Sequence, residues 1–263
     1  MLFVSNLDPV ALTLGPVSLR WYGILFAGGF IAGYFIMHYM FRRKHYNTED
    51  LDRLLLYIFA GTVIGARLAH CFIYEPDFYL AHPLEIVKVW KGGLASHGGT
   101  LGVVIAIWFF ARKNRFTFLE VADMLCIPVS LVCVLIRTGN FINSEILGVP
   151  THADYGVIFA AIGENFPRHP VQLYEAFAYL LIFIIITSVY FLWKKCPRGF
   201  ILGLLLFLVF GSRFALEPFK VEQADYSTGI ILSVGQLLSI PFVITGAVLM
   251  FYACAKSEKE KEQ

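Results

Sequence analysis

The sequence predicts an all-α polytopic membrane protein: seven transmembrane helices, an arm on the membrane surface and a small head domain outside the bilayer. Three observations carry that expectation. Of the 263 residues, 58% are hydrophobic and only 15% charged, where a soluble domain holds about 25% charged residues. Mean hydropathy is +0.68, and the shortage of charge runs along the whole chain. The Lys and Arg residues that remain fall mostly on one side of the apolar runs.

A hydrocarbon core about 30 Å thick needs about 20 helical residues to cross it. Seven runs qualify as candidates: 21–41, 54–74, 94–111, 119–137, 172–193, 199–216 and 230–253. The third and sixth are short, and Pro128 is expected to kink the fourth, because its ring removes a helical hydrogen bond. Ahead of the first run, "MLFVSNLDPVALTLGPVSLRWYG" has no basic n-region and no small-residue cleavage site, so no cleaved signal peptide is expected. Residues 1–137 thus form spans 1 to 4, with an arm at 75–93. That arm mixes aromatic, aliphatic and charged positions, as a segment lying on a membrane surface does. Residues 138–171 form the head domain, too small to fold alone and so expected to pack on the spans. Residues 172–253 supply spans 5 to 7, and 254–263, ending "AKSEKEKEQ", a solvated tail.

Orientation follows from the basic residues. One side's connections hold thirteen Lys/Arg, in 42–53, 112–115, 194–198 and 256–261. The other side holds five: Arg20, Lys88, Lys91, Arg168 and Lys220. The N-terminus is therefore expected outside and the C-terminus in the cytoplasm. There are no Lys/Arg blocks interleaved with aromatics, which argues against nucleic-acid binding. The five cysteines lie in or beside apolar runs without metal-ligand spacing, and read as inert buried thiols.

An ionisable group within a span costs about 2.5–3.5 kcal/mol or more, and marks a functional site by default. Here such groups gather in the outer halves of the spans. Tyr22 opens span 1, Arg67 lies in span 2, His97 starts span 3 and Arg137 closes span 4. His169, Gln172, Tyr174 and Glu175 open span 5, Arg213 and Glu217 end span 6, and Gln236 lies near the start of span 7. Their convergence predicts a polar cavity open towards the outer leaflet, with three arginines around it. Each residue also has a plain structural alternative. Arg213 and Glu217, four apart, could be an intrahelical ion pair. Arg67 could snorkel or hold a neighbouring helix. Tyr22 could belong to an interfacial aromatic belt. Asn140, Asn143 and Glu145 could cap backbone in a tight loop. Arg137, beside Gly139 and the asparagines, has the look of an anion cradle. The glycines around His97, including Gly98 and Gly99, admit either another backbone or a ligand.

Guanidinium forks bind phosphate bidentately and stay charged, so arginines facing lipid suggest a phosphate-bearing headgroup as substrate. No His-Glu-x-x-His and no Gly-x-Ser-x-Gly occur, which disfavours zinc proteolysis and serine hydrolysis. An intramembrane hydrolase built on His97 would need an internal nucleophile, and none stands out. A lipid or solute transporter is the alternative from another class. It should show polar residues in both halves of the spans, or inverted repeats, and neither is visible.

"SHGGTLG", "RTGNFINSE", "RHPVQLYEA" and "GSRFALEPFK" followed by "GQLLSIP" resemble, in order and spacing, the prolipoprotein diacylglyceryl transferases of bacteria. The similarity runs from about Asp8 to about Phe251. It implies transfer of the diacylglyceryl group of phosphatidylglycerol to the lipobox cysteine thiol of a prolipoprotein, the first step of lipoprotein maturation. A thioether forms and glycerol phosphate leaves. The implied partners are phosphatidylglycerol, prolipoprotein signal peptides with a lipobox cysteine, and membrane lipid. The implied location is the bacterial inner membrane, with a periplasmic head domain. Arg137 matches the family's signature arginine, and Asn140, Asn143 and Glu145 the rest of that motif. His97 matches the His-Gly-Gly histidine, Tyr22 the span 1 tyrosine, Glu175 the glutamate after Gln-Leu-Tyr, and Arg213 with Glu217 the Arg-x-x-x-Glu pair. Two features depart from the pattern: Ile136 stands where the family usually has glycine, and the segment from Gly148 to His169 is short.

A free cysteine thiol has a pKa near 8.5, so only a few per cent is thiolate at neutral pH. The reaction therefore needs a base or a positive field. Catalytic roles are expected for His97, Arg137, Arg213, Glu217 and Tyr22. Substrate binding is expected for Arg137, Asn140, Asn143, Glu145, Glu175, Arg67, Gly98 and Gly99. Arg137 and Arg213 hold the phosphate and Glu175 and Glu217 orient them; His97 and Arg213 are the two candidates for activating the thiol. No metal, nucleotide or redox cofactor is expected.

Overall fold

Helices dominate the computed structural model, which describes residues 3–15, 17–221 and 232–262. The chain divides into two compact units, Met1–Ile36 with Asp123–Gln263, and Met37–Ala122. Three short strands, β1 (Phe3–Ser5), β2 (Val10–Leu14) and β3 (Val17–Arg20), precede α1 (Trp21–Arg43). There follow α2 (Thr48–Ala69), the short α3 (Pro76–Ala81), α4 (Ser96–Lys113) and α5 (Phe118–Ile142). Strands β4 (Val157–Phe159) and β5 (Pro167–Arg168) lead to α6 (Val171–Leu192), α7 (Phe200–Leu216) and α8 (Val234–Glu262).

Among the described residues, six helices are long and apolar enough to cross a membrane: α1, α2 with its extension to Tyr74, α5, α6, α7 and α8. The third expected span corresponds to α4. It has 18 residues, with His97 in its first turn and Arg112 and Lys113 in its last, and is not one of the six. Residues 230 and 231 of the seventh expected span lie outside the described residues.

Helix ends sit where polar residues can satisfy orphan backbone groups. Asn47 accepts from the Glu49 amide at 3.0 Å, and Glu49 and Asp50 suit the positive end of the dipole. Helix α2 therefore starts six residues before the apolar run does. Ser233 and Gln236 form a reciprocal capping box: the Gln236 amide donates to Ser233 Oγ at 3.2 Å and the Ser233 amide to Gln236 Oε1 at 3.1 Å. Gln236 is thus engaged by a helix start. Helix α5 runs five residues past the expected end of span 4, so Arg137 sits in a helical turn rather than at its edge. The tail does not peel away either; α8 continues through it to Glu262.

In the first unit, Gly29 and Gly33 of α1 face Val132 and Pro128 of α5, where an added Cβ would lie 3.1 Å from each. At the start of α7, the buried Asp123 carboxylate accepts the amides of Gly199 at 2.6 Å and Leu202 at 2.8 Å. It caps a helix that is not its own, and Gly199, at φ +90°, provides the turn. An amide at this position can accept from only one of the two donors through its oxygen. Asp123→Asn is therefore expected to destabilise the protein by about 1–3 kcal/mol, read as a lower unfolding midpoint in detergent. An unchanged midpoint would show that the carboxylate contributes nothing to the cap.

The segment 138–171, expected to form a head domain, pairs with the start of the chain. Strand β1 pairs parallel with β4 (Phe3 with Val157, Ser5 with Phe159), and β4 pairs antiparallel with β5. The alternating "VALTL" and "VSLR" form a separate antiparallel hairpin, β2–β3, turning at Gly15 with φ +59°. These short strands are small pieces beside a mostly helical fold, with no closed sheet among the described residues. Phe141, Val157 and Phe159 form a small apolar core with Leu147 against them. A segment so small needs the borrowed strand to close that core.

In the second unit, α2 and α4 cross at small residues. Gly61 and Gly65 of α2 meet Gly98, Gly102 and Ala106 of α4, with backbone directly against backbone, the small-xxx-small arrangement that lets membrane helices approach. Phe41 and Phe110, both fully buried, pack with Tyr46 and Phe116 at one end of this unit. The segment 75–93 folds as α3 and two single 3₁₀ turns, Pro83–Glu85 and Val89–Lys91.

Candidate active site

The first unit brings together most of the polar residues picked out from the sequence. Arg137 Nε stands 2.9 Å from Glu175 Oε2, and Arg137 Nη1 donates to Asn140 Oδ1 at 3.3 Å. The Asn140 amide donates to Glu145 Oε2 at 3.0 Å and that of Asn143 to Glu145 Oε1 at 3.1 Å, so two asparagines hold one carboxylate. Glu175 is completely buried, and its other oxygen lies 2.7 Å from Lys220 Nζ, which is also 3.3 Å from Glu217 Oε2. The result is a continuous polar chain: Glu145, Asn140, Arg137, Glu175, Lys220, Glu217. Buried charges of this kind persist only when paired and hydrogen-bonded.

Local backbone explains the placement. The C-terminal part of α5 carries Arg137 and Asn140 three apart, on one face. Beyond it, Ser144 and Ile146 both take φ +54°, one on each side of Glu145. Positive φ at a β-branched residue is strained and survives only where the surroundings impose it. Gln172, fully buried, helps impose it by donating to the Glu145 carbonyl at 2.6 Å. Tyr22 packs on Gly139, where an added Cβ would come 2.8 Å from the ring.

Arg213 and Arg137 both act electrostatically on Cys133 and Tyr179, as does Glu175. The intrahelical pair of Arg213 with Glu217 is not formed. Helix α7 ends at Leu216 and the chain tightens into a 3₁₀ turn at Glu217–Phe219, with Pro218 inside it. That turn carries Glu217 towards Lys220 and over Gly235. Among the described residues Arg213 has no carboxylate within ion-pair distance; its contact is the Phe210 ring, 5.9 Å away.

Two members of the network were not picked out from the sequence as site residues. Lys220 counted only as a loop cation, although its spacing of three from Glu217 was a signal for pairing. Gly148 gave no signal. Its backbone bridges Lys220, and a Cβ there would run into the His169 carbonyl. Flanking bonds from the Val149 amide to the Phe219 carbonyl (2.9 Å) and from the Val221 amide to the Leu147 carbonyl (3.1 Å) stitch the two strips together. His169 joins an aromatic group instead, with Nδ1 3.2 Å from the Tyr174 hydroxyl and its ring against Tyr155 and Phe219.

The remaining predicted residues belong to the second unit. Arg67 is 3% exposed and donates to four backbone carbonyls: Glu85 (2.6 Å), Ile86 (2.8 Å), Gly92 (2.5 Å) and Gly93 (3.1 Å). Its guanidinium also lies over the Tyr79 ring at 5.0 Å. Of the roles left open for Arg67, these bonds are those of an anchor, with a neighbouring chain segment held in place of a helix. Gly92 and Gly93, both at positive φ, turn their carbonyls onto it. Gly98 is used by the crossing with Gly65 and Ala69, which realises the backbone alternative, while Gly99 has only ordinary van der Waals neighbours. His97 is exposed on the first turn of α4.

Comparison with known proteins gives the family. The family model described as prolipoprotein diacylglyceryl transferase matches residues 9–252. The chain belongs to that family. Its relatives are similar over nearly their whole length. A phosphatidylglycerol–prolipoprotein diacylglyceryl transferase of Tolumonas auensis is 52% identical over 257 residues, covering 97% of this chain and 98% of the relative. A protein of the same name from Chloroherpeton thalassium is 48% identical, covering 97% and 96%, and one from Bacteroides fragilis is 39% identical, covering 94% of each. In this transferase family member, the resemblance carried by "RTGNFINSE" falls on the turn that holds Arg137, Asn140, Asn143 and Glu145 together.

Proposed function

We propose that this protein transfers the diacylglyceryl group of phosphatidylglycerol to the lipobox cysteine thiol of prolipoproteins. The observation that carries the reading is the pair of arginines: Arg137 is held in a fixed plane by Glu175 and Asn140, while Arg213 has no carboxylate partner among the described residues. An oriented guanidinium together with one that has no carboxylate partner among the described residues suits a phosphate diester. Two fully or largely buried acceptors, Asn143 Oδ1 and Gln172 Oε1, have no donor among the described residues. Leaving such acceptors unpaired is costly, and the hydroxyls of a glycerol headgroup supply donors of the right kind. The relatives' names indicate the same two substrates, and none points to a transporter.

In this reading the thiolate sulfur attacks the glycerol carbon that bears the phosphate. The carbon–sulfur bond of the thioether forms as the carbon–oxygen bond to phosphate breaks, and glycerol phosphate leaves with the electron pair. Arg137 and Arg213 stabilise the growing charge on the phosphate, as preorganised donors do in a site shielded from water. Glu175 and Glu217 orient the cations, Glu145 holds the two asparagines, and Tyr22 packs the motif from α1. His97 takes the thiol proton. The excess of basic residues on one side supports an inner-membrane location with the N-terminus and head in the periplasm and the C-terminus in the cytoplasm, and residues 75–93 then lie on the periplasmic surface.

The test is direct. Purified protein is incubated with phosphatidylglycerol and a lipobox peptide, and the peptide is weighed. An added mass of one diacylglyceryl group is expected; no adduct, or cleavage of the peptide, overturns the reading. His97→Ala is expected to lower the rate about 100-fold, the range of a lost general base. Retained turnover would reduce His97 to a structural part.

A further inference from the structure

We propose that Lys220 is a positioning residue that holds one oxygen of Glu175 and so keeps Arg137 available to the phosphate. This rests on the transferase reading above. Lys220 is nearly buried, and its ammonium touches Glu175 Oε1 at 2.7 Å and Glu217 Oε2 at 3.3 Å. The other oxygen of Glu175 holds Arg137 at 2.9 Å. One buried carboxylate is therefore shared between two cations, and the sharing decides how much of Arg137 is left for a ligand.

Arg137, Arg213 and Lys220 stand against Glu145, Glu175 and Glu217, so the charges balance with the ammonium in place. Remove the ammonium and one carboxylate is left in excess. Both oxygens of Glu175 then fall to Arg137, the only other cation in contact with it among the described residues, and a phosphate must compete with a desolvated carboxylate for the guanidinium. In surroundings of low dielectric constant such a competition is strong. The lysine is delivered to this place by backbone. The bridge to Gly148, the bonds at Val149 and Val221, and the turn in which the Lys220 amide donates to the Glu217 carbonyl at 3.0 Å all fix its Cα. None of these involves the side chain, so replacing the ammonium leaves the stitch intact. Lys220 touches the two carboxylates rather than the reacting atoms, and acts through Arg137.

The experiment measures lipid-dependent transfer with phosphatidylglycerol in mixed micelles and a lipobox peptide. Lys220→Met is expected to raise KM for phosphatidylglycerol about tenfold, with kcat and KM for the peptide changed less than about threefold. Lys220→Arg restores the wild-type KM. Lys220→Gln, which keeps a polar tip beside the carboxylates without the charge, raises KM as Lys220→Met does. A folded Lys220→Met or Lys220→Gln protein with unaltered KM overturns the proposal, and so does a Lys220→Arg protein whose KM stays raised. If neither neutral variant folds, Lys220→Arg decides: a wild-type KM supports the need for a cation here, and a raised KM overturns it. Absence of any adduct from the wild-type protein sinks the transferase reading itself, whereas wild-type transfer with an unaffected KM in Lys220→Met sinks this inference alone.

Discussion

Arg137→Lys is expected to slow diacylglyceryl transfer about 1,000-fold, the upper range for loss of a preorganised charge-stabilising donor, while the protein stays folded. Lysine keeps the charge and loses the fork. Arg137 makes two contacts from one rigid plane, through Nε to Glu175 and through Nη1 to Asn140, and so has edges of the guanidinium left to face a ligand. A single ammonium placed on Glu175 cannot also orient Asn140 and meet a phosphate. The Asn140 amide would lose its direction, and with it the hold on Glu145 and the strained turn at Ser144–Ile146. The check is the rate of peptide mass gain at saturating phosphatidylglycerol, with the unfolding midpoint measured alongside. A lysine variant near the wild-type rate would mean that charge alone suffices, and the bidentate argument would fall.

Gly102→Val is expected to have the largest effect on stability, about 3 kcal/mol, the upper range for overpacking a tight interior. The Gly102 Cβ would land on the Gly61 carbonyl, and backbone cannot move aside as a flexible side chain can. Lipid tails are as apolar as leucine, so the hydrophobic effect gives these helices little reason to associate, and close packing of small residues has to do it. Separating α2 from α4 would also disturb Arg67, which anchors residues 85–93 from α2. The expected readout is a large drop in the unfolding midpoint in detergent, with Gly102→Ala between the two. A valine variant with the wild-type midpoint would show that the helices do not pass this closely.

Several of the residues picked out from the sequence lie together: Arg137 and Glu175, singled out as costly ionisable groups in spans, join Asn140, Asn143 and Glu145, singled out by the motif, in one connected network. Partnership was harder to read. Arg213 and Glu217, four apart, satisfy the rule for a helical pair, yet the 3₁₀ turn after Leu216 sends the glutamate to Lys220. Arg67 and Gln236 carried the same signal as Arg137, and they serve a chain segment and a capping box. The intrinsic cost of an ionisable group is the same whether a ligand or the backbone repays it.

Composition and the spacing of apolar runs are enough for a helical membrane protein, because the thickness of the bilayer and the backbone's need for internal hydrogen bonds leave little else possible. Those terms depend on local sequence alone. The parallel pairing of Phe3–Ser5 with Val157–Phe159, the capping of α7 by Asp123 and the sharing of Glu175 between Arg137 and Lys220 link residues far apart in the chain. Each depends on distances that only the packed helices set, so no local pattern could announce it.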